Sequence, residues 1–334
     1  MTAKRYLVTG GSGFLGAAVT KQLVHAGHRV RVLDNHSRGS LRRLDTVLAN
    51  IEVVDADVRD ADAVSRAAHG MDSVIHLAYI NGTEFFYSRP ALVLDVGIRG
   101  MLNVLDACLR HDVSELFVAS TSEVYQTPPV VPTPEEVPLC VPDVRNPRYS
   151  YGGGKLACEL LALHSGGAHL ERVVVFRPHN VYGPDMGWEH VLPQFVMHAL
   201  DLAEQHPRGP LPFPIQGDGT QTRAFTHIDD FADAFMTLVE RGVNLGVYNI
   251  GNPEELAIAA VATKVVHYLG REIQLIGGEP APGATLRRCP DITKLAALGF
   301  VPRIPFEVGL PSLADWYVRH YPERKRALAE RTAA

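Results

Sequence analysis

Short apolar runs recur through the first half of the chain at residues 5–9, 29–34, 51–55, 73–77, 115–119 and 172–176, each separated from the next by a helix-compatible segment. Such alternation predicts an α/β protein built on a Rossmann-like, doubly wound parallel sheet. Between the fourth and fifth runs, residues 90–110 are apolar nearly all round, through Leu92, Val93, Leu94, Val96, Ile98, Met101, Leu102, Val104, Leu105 and Leu109. A helix of this kind is buried on more than one face, either between the sheet and a second subunit or deep inside a large monomer. Residues 127–148 are polar and proline-rich, too long for a simple connection, and are expected to form an active-site flap. After Pro184 the alternation weakens, and Pro193, Pro207, Pro210, Pro212 and Pro214 interrupt the chain. A smaller α/β substrate domain is expected there.

Residues 229–241 then read as a helix and 247–250 as a strand of the first sheet, so the two domains are expected to interleave. One comprises 1–180 with 225–252; the other comprises 181–224 and 253–334. Within the latter, 255–269 predicts a helix, 272–276 a strand and 306–321 an amphipathic helix.

The first apolar run leads into Gly10-Gly11-Ser12-Gly13-Phe14-Leu15-Gly16, and helical character follows over 17–26. Strand, glycine turn and helix together make a pyrophosphate site, because the backbone can approach closely and the helix N-terminus faces the negative charge. Asp34 ends the second run, near the ~20-residue offset expected of an acid that holds adenosine ribose. A carboxylate there accepts both ribose hydroxyls and repels a 2′-phosphate, which favours NAD. Arg38 keeps NADP open. Asp57, in Asp57-Val58-Arg59-Asp60, is placed either to receive the adenine amino group or to cap a surface turn.

Tyr151 and Lys155 are four residues apart, so on a helix they share one face. A nearby ammonium favours phenolate, and a tyrosine so tuned is a general base for a substrate hydroxyl as hydride leaves the carbon beneath it. The bland alternative is a chance pair on a solvated helix. Ser120-Thr121-Ser122-Glu123 follows the fifth run, where ligands bind in open α/β sheets. Thr121 is suited to hold a substrate hydroxyl beside Tyr151, and Glu123 to move a second proton. Their alternatives are a helix cap and a surface ion pair.

Composition narrows the field. The 334 residues are 46% hydrophobic, enough for a sizeable core, and 32 Lys and Arg against 37 Asp and Glu give a net charge of −5. No basic run interleaves with aromatics, so neither nucleic acid nor an anionic membrane is an expected partner. The start of the chain lacks signal-peptide character, no apolar run spans a bilayer, and Cys108, Cys140, Cys158 and Cys289 are scattered. These features predict a cytoplasmic protein with reduced thiols. The 15 histidines form no metal motif, so no metal is expected.

Taken together the motifs resemble the extended short-chain dehydrogenase/reductases, in the NAD-dependent nucleotide-sugar epimerase/dehydratase branch. The resemblance covers almost the whole chain: Gly10, Gly13 and Gly16; Asp34; Asp57; His76-Leu77-Ala78; Thr121-Ser122-Glu123; Tyr151 and Lys155; Arg177 to Pro184; Gln221 to Phe225; Gly251-Asn252-Pro253; and Arg288 with Pro290-Asp291-Ile292. It implies that Gly10, Gly13, Phe14, Leu15, Gly16, Asp34, Asp57, Val58, Leu77, Tyr151 and Lys155 bind NAD. Tyr151 is then the base, Lys155 orients it, Thr121 bonds the reacting hydroxyl, and Asn180, Arg223 and Arg288 hold a nucleotide diphosphate.

Thr121-Ser122-Glu123 is similar to the strand end of UDP-glucuronate decarboxylases, where simple 4-epimerases carry only small hydroxyl residues. The implied enzyme acts on a nucleotide sugar, most simply a UDP sugar, through a transient 4-keto intermediate, and the apolar stretch 90–110 predicts that it works as a homodimer. Thr121, Ser122, Glu123, Tyr151 and Lys155 are then its catalytic set. Decarboxylation or dehydration follows if Glu123 acts at C5, and 4-epimerisation if it only positions. A catalytically silent dinucleotide-binding protein is the rival from another class, and it would not need Thr121, Tyr151 and Lys155 together. Gly97 replaces an asparagine usual in relatives, Gln126 a glycine, and residues 79–87 depart from the decarboxylase pattern, so the loop beside the sugar is this chain's own.

Overall fold

The computed structural model describes residues 3–279 and 285–333. Seven parallel strands form the main sheet: β1 (Arg5–Thr9), β2 (Arg29–Asp34), β3 (Ile51–Asp55), β4 (Ser73–His76), β5 (Glu115–Ala119), β6 (Arg172–Pro178) and β7 (Gly246–Ile250). Their order across the sheet is β7-β6-β5-β4-β1-β2-β3. The chain winds outward in both directions from β1, and this reversal opens a crevice at the carboxyl ends of β1 and β4.

Alternate residues of each strand feed opposite faces, which is why the strands are continuous apolar runs. Tyr6, Val8, Val32, Ile75, Phe117 and Phe176 pack on one side with Leu23, Phe231, Phe235 and Leu238 from helices Phe14–His25 and Ile228–Arg241. Leu7, Leu33, Val74, Leu116, Val118 and Val175 pack on the other, against helices Ala61–Ala68, Gly100–Arg110 and Ser150–Leu160.

Beyond β6, Tyr182, Leu192, Val196, Phe225, Val261, Phe306, Leu313 and Tyr317 make a separate core. It joins helices Val191–Gln205, Ile258–Tyr268 and Phe306–Ala333. Leu211–Ile215 pairs in parallel with Ile273–Gly277, and Thr222–Ala224 lies between Glu255–Ala257 and Arg287–Arg288.

Several expectations change. The first helix starts at Phe14 rather than 17, because Gly13 takes an extended N-cap conformation inside the glycine turn. Residues 255–257 are a strand, not a first helical turn: Glu255 accepts from Thr222 on the adjacent strand and from Arg287 on the strand beyond it, which holds that edge extended. The last helix continues through Pro322, tied to the Val191–Gln205 helix by Tyr321 with Asp201 and Lys325 with Glu204.

The helical stretch from 90 to 110 contains a π-helical turn, Asp95–Arg99. Its wider turn rotates the apolar stripe part-way along, which is why the sequence looks apolar all round. Val93, Met101, Val104 and Leu105 are buried, whereas Leu94, Leu102 and Leu109 are exposed. The loop 127–148 is tied down at its middle, and Arg148 at its end lies close enough to act on Glu123. Thr133 bonds the Cys289 carbonyl, and Glu135 accepts from the Asn249 amide. No helix among the described residues is long and apolar enough to cross a membrane.

Candidate active site

Two adjoining cavities open at the carboxyl ends of the strands. The first, about 320 Å³, is lined by Gly10, Gly13, Phe14, Leu15, Gly16, Asp34, Asp57, Val58, Leu77, Tyr151 and Lys155, all expected from the sequence to contact the dinucleotide. Gly10 has φ +73°, and a Cβ there would lie 2.7 Å from the Ala78 amide nitrogen. Only glycine lets these backbones meet and leaves the helix start at Phe14 open to the cavity. The Asp34 carboxylate accepts from the Ser12 and His36 amides at 3.0 and 2.8 Å, which fixes it beside the glycine turn. Asp57 is gripped by the Arg59 guanidinium and amide and by Asn35, and the hydrogen bonds from Arg59 hold its carboxyl down at about 2. A glycine cradle, a helix N-terminus and an acidic side chain at the ribose end fit NAD. Arg38 turns to the Glu189 carboxylate, 3.6 Å away, and stacks over Phe85.

The second cavity, about 270 Å³, is lined by Thr121, Ser122, Glu123, Asn180 and Arg288, with Tyr151 in the wall common to both. Thr121 accepts from the Glu123 amide at 3.2 Å, capping the short turn Ser122–Tyr125 as well as facing the cavity. Asn180, at φ +39°, donates to the Ala224 carbonyl at 2.9 Å. Arg223 and Arg288 are register partners on adjacent strands; Arg288 lines the cavity, and Arg223 is not among its lining residues. Burial and the like charge of Arg288 pull the Arg223 guanidinium down to about 10.

Arg288 pairs with Glu123 inside this cavity. Burial opposes ionisation of Glu123, but Arg288, supported by Arg148 and Arg223, outweighs it and holds the carboxyl below its usual range.

Tyr151 and Lys155 share the helix Ser150–Leu160, as their spacing predicts. Lys155 Nζ donates to the Ala119 carbonyl at 2.6 Å, and burial brings the ammonium down to about 8. The Tyr151 ring is stacked by Phe86, centroids 4.8 Å apart, and met edge-on by Tyr79 at 5.3 Å. The expectation of a phenol drawn toward neutrality is therefore corrected. Burial raises it well above its ordinary value, against the pull of the neighbouring Thr121 side chain. Tyr79 and Phe86 are site residues that the sequence reading missed. Their signal was position: both follow β4, whose carboxyl end borders the crevice.

Three comparisons place this geometry. The chain is 30% identical over 330 residues to a UDP-N-acetyl-alpha-D-glucosaminuronate decarboxylase of Bacillus cytotoxicus, covering 94% of this chain and 98% of that protein. It is 32% identical to UDP-glucuronic acid decarboxylase 1 of Xenopus tropicalis, with 94% of this chain and 72% of that protein covered. Among solved structures it resembles dTDP-glucose 4,6-dehydratase of Streptomyces venezuelae with NAD bound. That match has TM-score 0.82 and 27% identity, over 94% of this chain and 97% of that one. The family model described as NAD dependent epimerase/dehydratase family matches residues 6–251. With its glycine cradle, its Tyr151 and Lys155 pair and this match across most of its length, the chain belongs to the NAD dependent epimerase/dehydratase family of nucleotide-sugar enzymes.

Proposed function

We propose that this enzyme oxidises a UDP-hexuronate at C4, removes its carboxylate as carbon dioxide, and reduces the resulting 4-keto sugar. The Glu123 and Arg288 pair in the cavity shared by Thr121 and Tyr151 is the observation that carries this reading. Bound NAD supplies the acceptor, and later the donor, of a hydride at C4. Tyr151 takes the proton of the C4 hydroxyl and returns it in the last step, with Thr121 holding that oxygen and Lys155 favouring phenolate once the cavity is filled. A C4 ketone makes the C5 carboxylate a β-keto acid, so carbon dioxide leaves and its bonding electrons remain as an enolate.

Arg288 binds anionic substrate and thereby releases Glu123. Burial, the largest influence on that carboxyl, then raises its proton affinity, so Glu123 takes up a proton from solvent and delivers it to the enolate at C5. Asn180, Arg223 and Arg288 bind the diphosphate end, where paired guanidiniums suit phosphate oxygens. Arg223 and Arg288 come from the unit of residues 181–224 and 253–334, and Asn180 is the last residue of 1–180.

The working assembly is a homodimer in the cytoplasm, formed where Leu94, Leu102, Leu109 and Leu160 expose an apolar stripe on the two long helices. Light scattering tests it: a monomer at working concentration refutes the dimer.

The function is tested by product mass from a panel of UDP, GDP, dTDP and CDP sugars that includes hexuronates. Loss of carbon dioxide is expected. Loss of water would make the enzyme a dehydratase, and an unchanged mass with a new stereoisomer would make it an epimerase.

A further inference from the structure

Tyr79 follows β4 and projects beneath the Tyr151 and Lys155 pair. Its ring centroid lies 4.1 Å from Lys155 Nζ and its edge meets Tyr151. Its hydroxyl is buried without a hydrogen-bond partner. An orphaned phenol costs stability, so the position is held for something other than that hydroxyl.

The room for it is made by two glycines. A Cβ at Gly97, in the π-helical turn, would overlap the Tyr79 ring and hydroxyl, and one at Gly154, on the Tyr151 and Lys155 helix, would overlap the hydroxyl. Three positions on three elements are thus mutually dependent: a tyrosine at 79 requires glycine at both others.

We propose that Tyr79 is a positioning residue for proton transfer, its π face clamping the Lys155 ammonium between the Ala119 carbonyl and the cofactor cavity. The proposal rests on Tyr151 and Lys155 being the reacting pair. Lys155 carries three N–H donors; Ala119 takes one, the Tyr79 ring face engages the cation, and Lys155 lines the cofactor cavity. A desolvated ammonium is strongly attracted to an aromatic face.

The other groups facing Lys155 are few. Cys158 and Glu159 come from its own helix, His76 from β4, and Tyr151 from one turn earlier. Burial keeps both His76 and the Tyr79 phenol uncharged at neutral pH, so neither supplies a formal counter-charge in place of the ring. A leucine at 79 would leave the ammonium its carbonyl and the Glu159 field alone.

The test is Lys155 titration in the full chain, followed by NMR with lysine labelled at Cε and assigned by loss of the signal in Lys155→Arg. This reading needs neither substrate nor turnover, so it fails or succeeds independently of the proposed reaction. Tyr79→Leu is expected to lower the Lys155 pKa by about one unit, the scale of a buried cation–π contact. Tyr79→Phe, which keeps the face and deletes the orphaned hydroxyl, is expected to restore it. In turnover, the alkaline limb of the kcat profile should move down with Tyr79→Leu and return with Tyr79→Phe. An unchanged Lys155 titration in Tyr79→Leu overturns the proposal, and so does a Tyr79→Phe chain that behaves like the leucine variant. If Tyr79→Leu does not fold, the unmodified protein decides. The Lys155 ε-methylene protons must lie upfield of those of exposed lysines through the ring current, and ordinary shifts there refute the clamp.

Discussion

Replacing Glu123 by glutamine separates the two halves of the proposed reaction. Side-chain exposure is 26% for Glu123 and 10% for Arg288, so their ion pair is neither freely solvated nor dry. Glu123→Gln keeps the shape and removes the charge, leaving Arg288 beside Arg223 and Arg148 with no counter-ion. Losing charged hydrogen bonds of this kind costs about 1–3 kcal/mol. At roughly 2 °C per kcal/mol for a chain of this size, Tm should fall by about 2–6 °C.

The sign of the pH dependence follows from the depressed carboxyl. Its stabilisation is fully present above the unfolded carboxylate pKa and is lost as pH falls through the folded value. The Tm difference between wild type and Glu123→Gln should therefore be widest near neutrality and close below about pH 4. In the proposed reaction C4 oxidation uses Tyr151, Thr121 and Lys155 and should survive, so the absorbance of reduced cofactor should build up with a UDP-hexuronate. Protonation of the enolate at C5, and with it formation of the decarboxylated, re-reduced sugar, should fall by about 10²–10⁴, the range for a lost acid–base group. A folded Glu123→Gln enzyme that forms the decarboxylated, re-reduced product at nearly the wild-type rate would refute this placement. So would one that loses C4 oxidation to the same degree.

Other residues give independent tests. Gly10→Ala places a methyl at φ +73° against the Ala78 amide, and calorimetry should show NAD binding lost while the fold persists; tight binding would contradict the cradle. Arg177 donates through Nε and Nη2 to the buried Glu159 carboxylate at 2.9 and 2.7 Å, and Ser120 bonds the same group. Arg177→Met should cost about 3–5 kcal/mol by denaturant unfolding, because it strands a buried carboxylate; a loss under about 1 kcal/mol would contradict that burial. Burial pushes His76 and His179 down to about 3. Each therefore binds its proton more readily unfolded, and stability should fall as pH drops below about 6.5, by about 1.4 kcal/mol per unit and site. His76→Asn should flatten that slope in denaturant midpoints, and an unchanged slope would deny it.

The parallel sheet was legible because each strand is buried on both faces and so appears as an unbroken apolar run. The glycine turn and Asp34 were legible because their chemistry is local: a strand end, a tight turn and a helix start adjoin in sequence. Long-range dependence was not. The π-helical turn at Asp95–Arg99 makes room for Tyr79, whose side chain comes from a different element, and no periodicity in residues 90–110 announces it. Glu255 holds residues 255–257 extended through partners at Thr222 and Arg287, so local helical propensity misled there. Tyr151 and Lys155 were visible as a pair, but the aromatic packing of Phe86 and Tyr79 that raises the phenol depends on tertiary burial.

The central claim is that C4 is oxidised and reduced around a change at C5. A UDP-hexuronate deuterated at C4, turned over in light water, tests it most directly by mass spectrometry and NMR of the product. The account predicts a decarboxylated sugar that keeps its deuterium at C4 and forms only with Tyr151 intact. Product that has lost the C4 deuterium to solvent, or that forms at the normal rate in Tyr151→Phe, would contradict it.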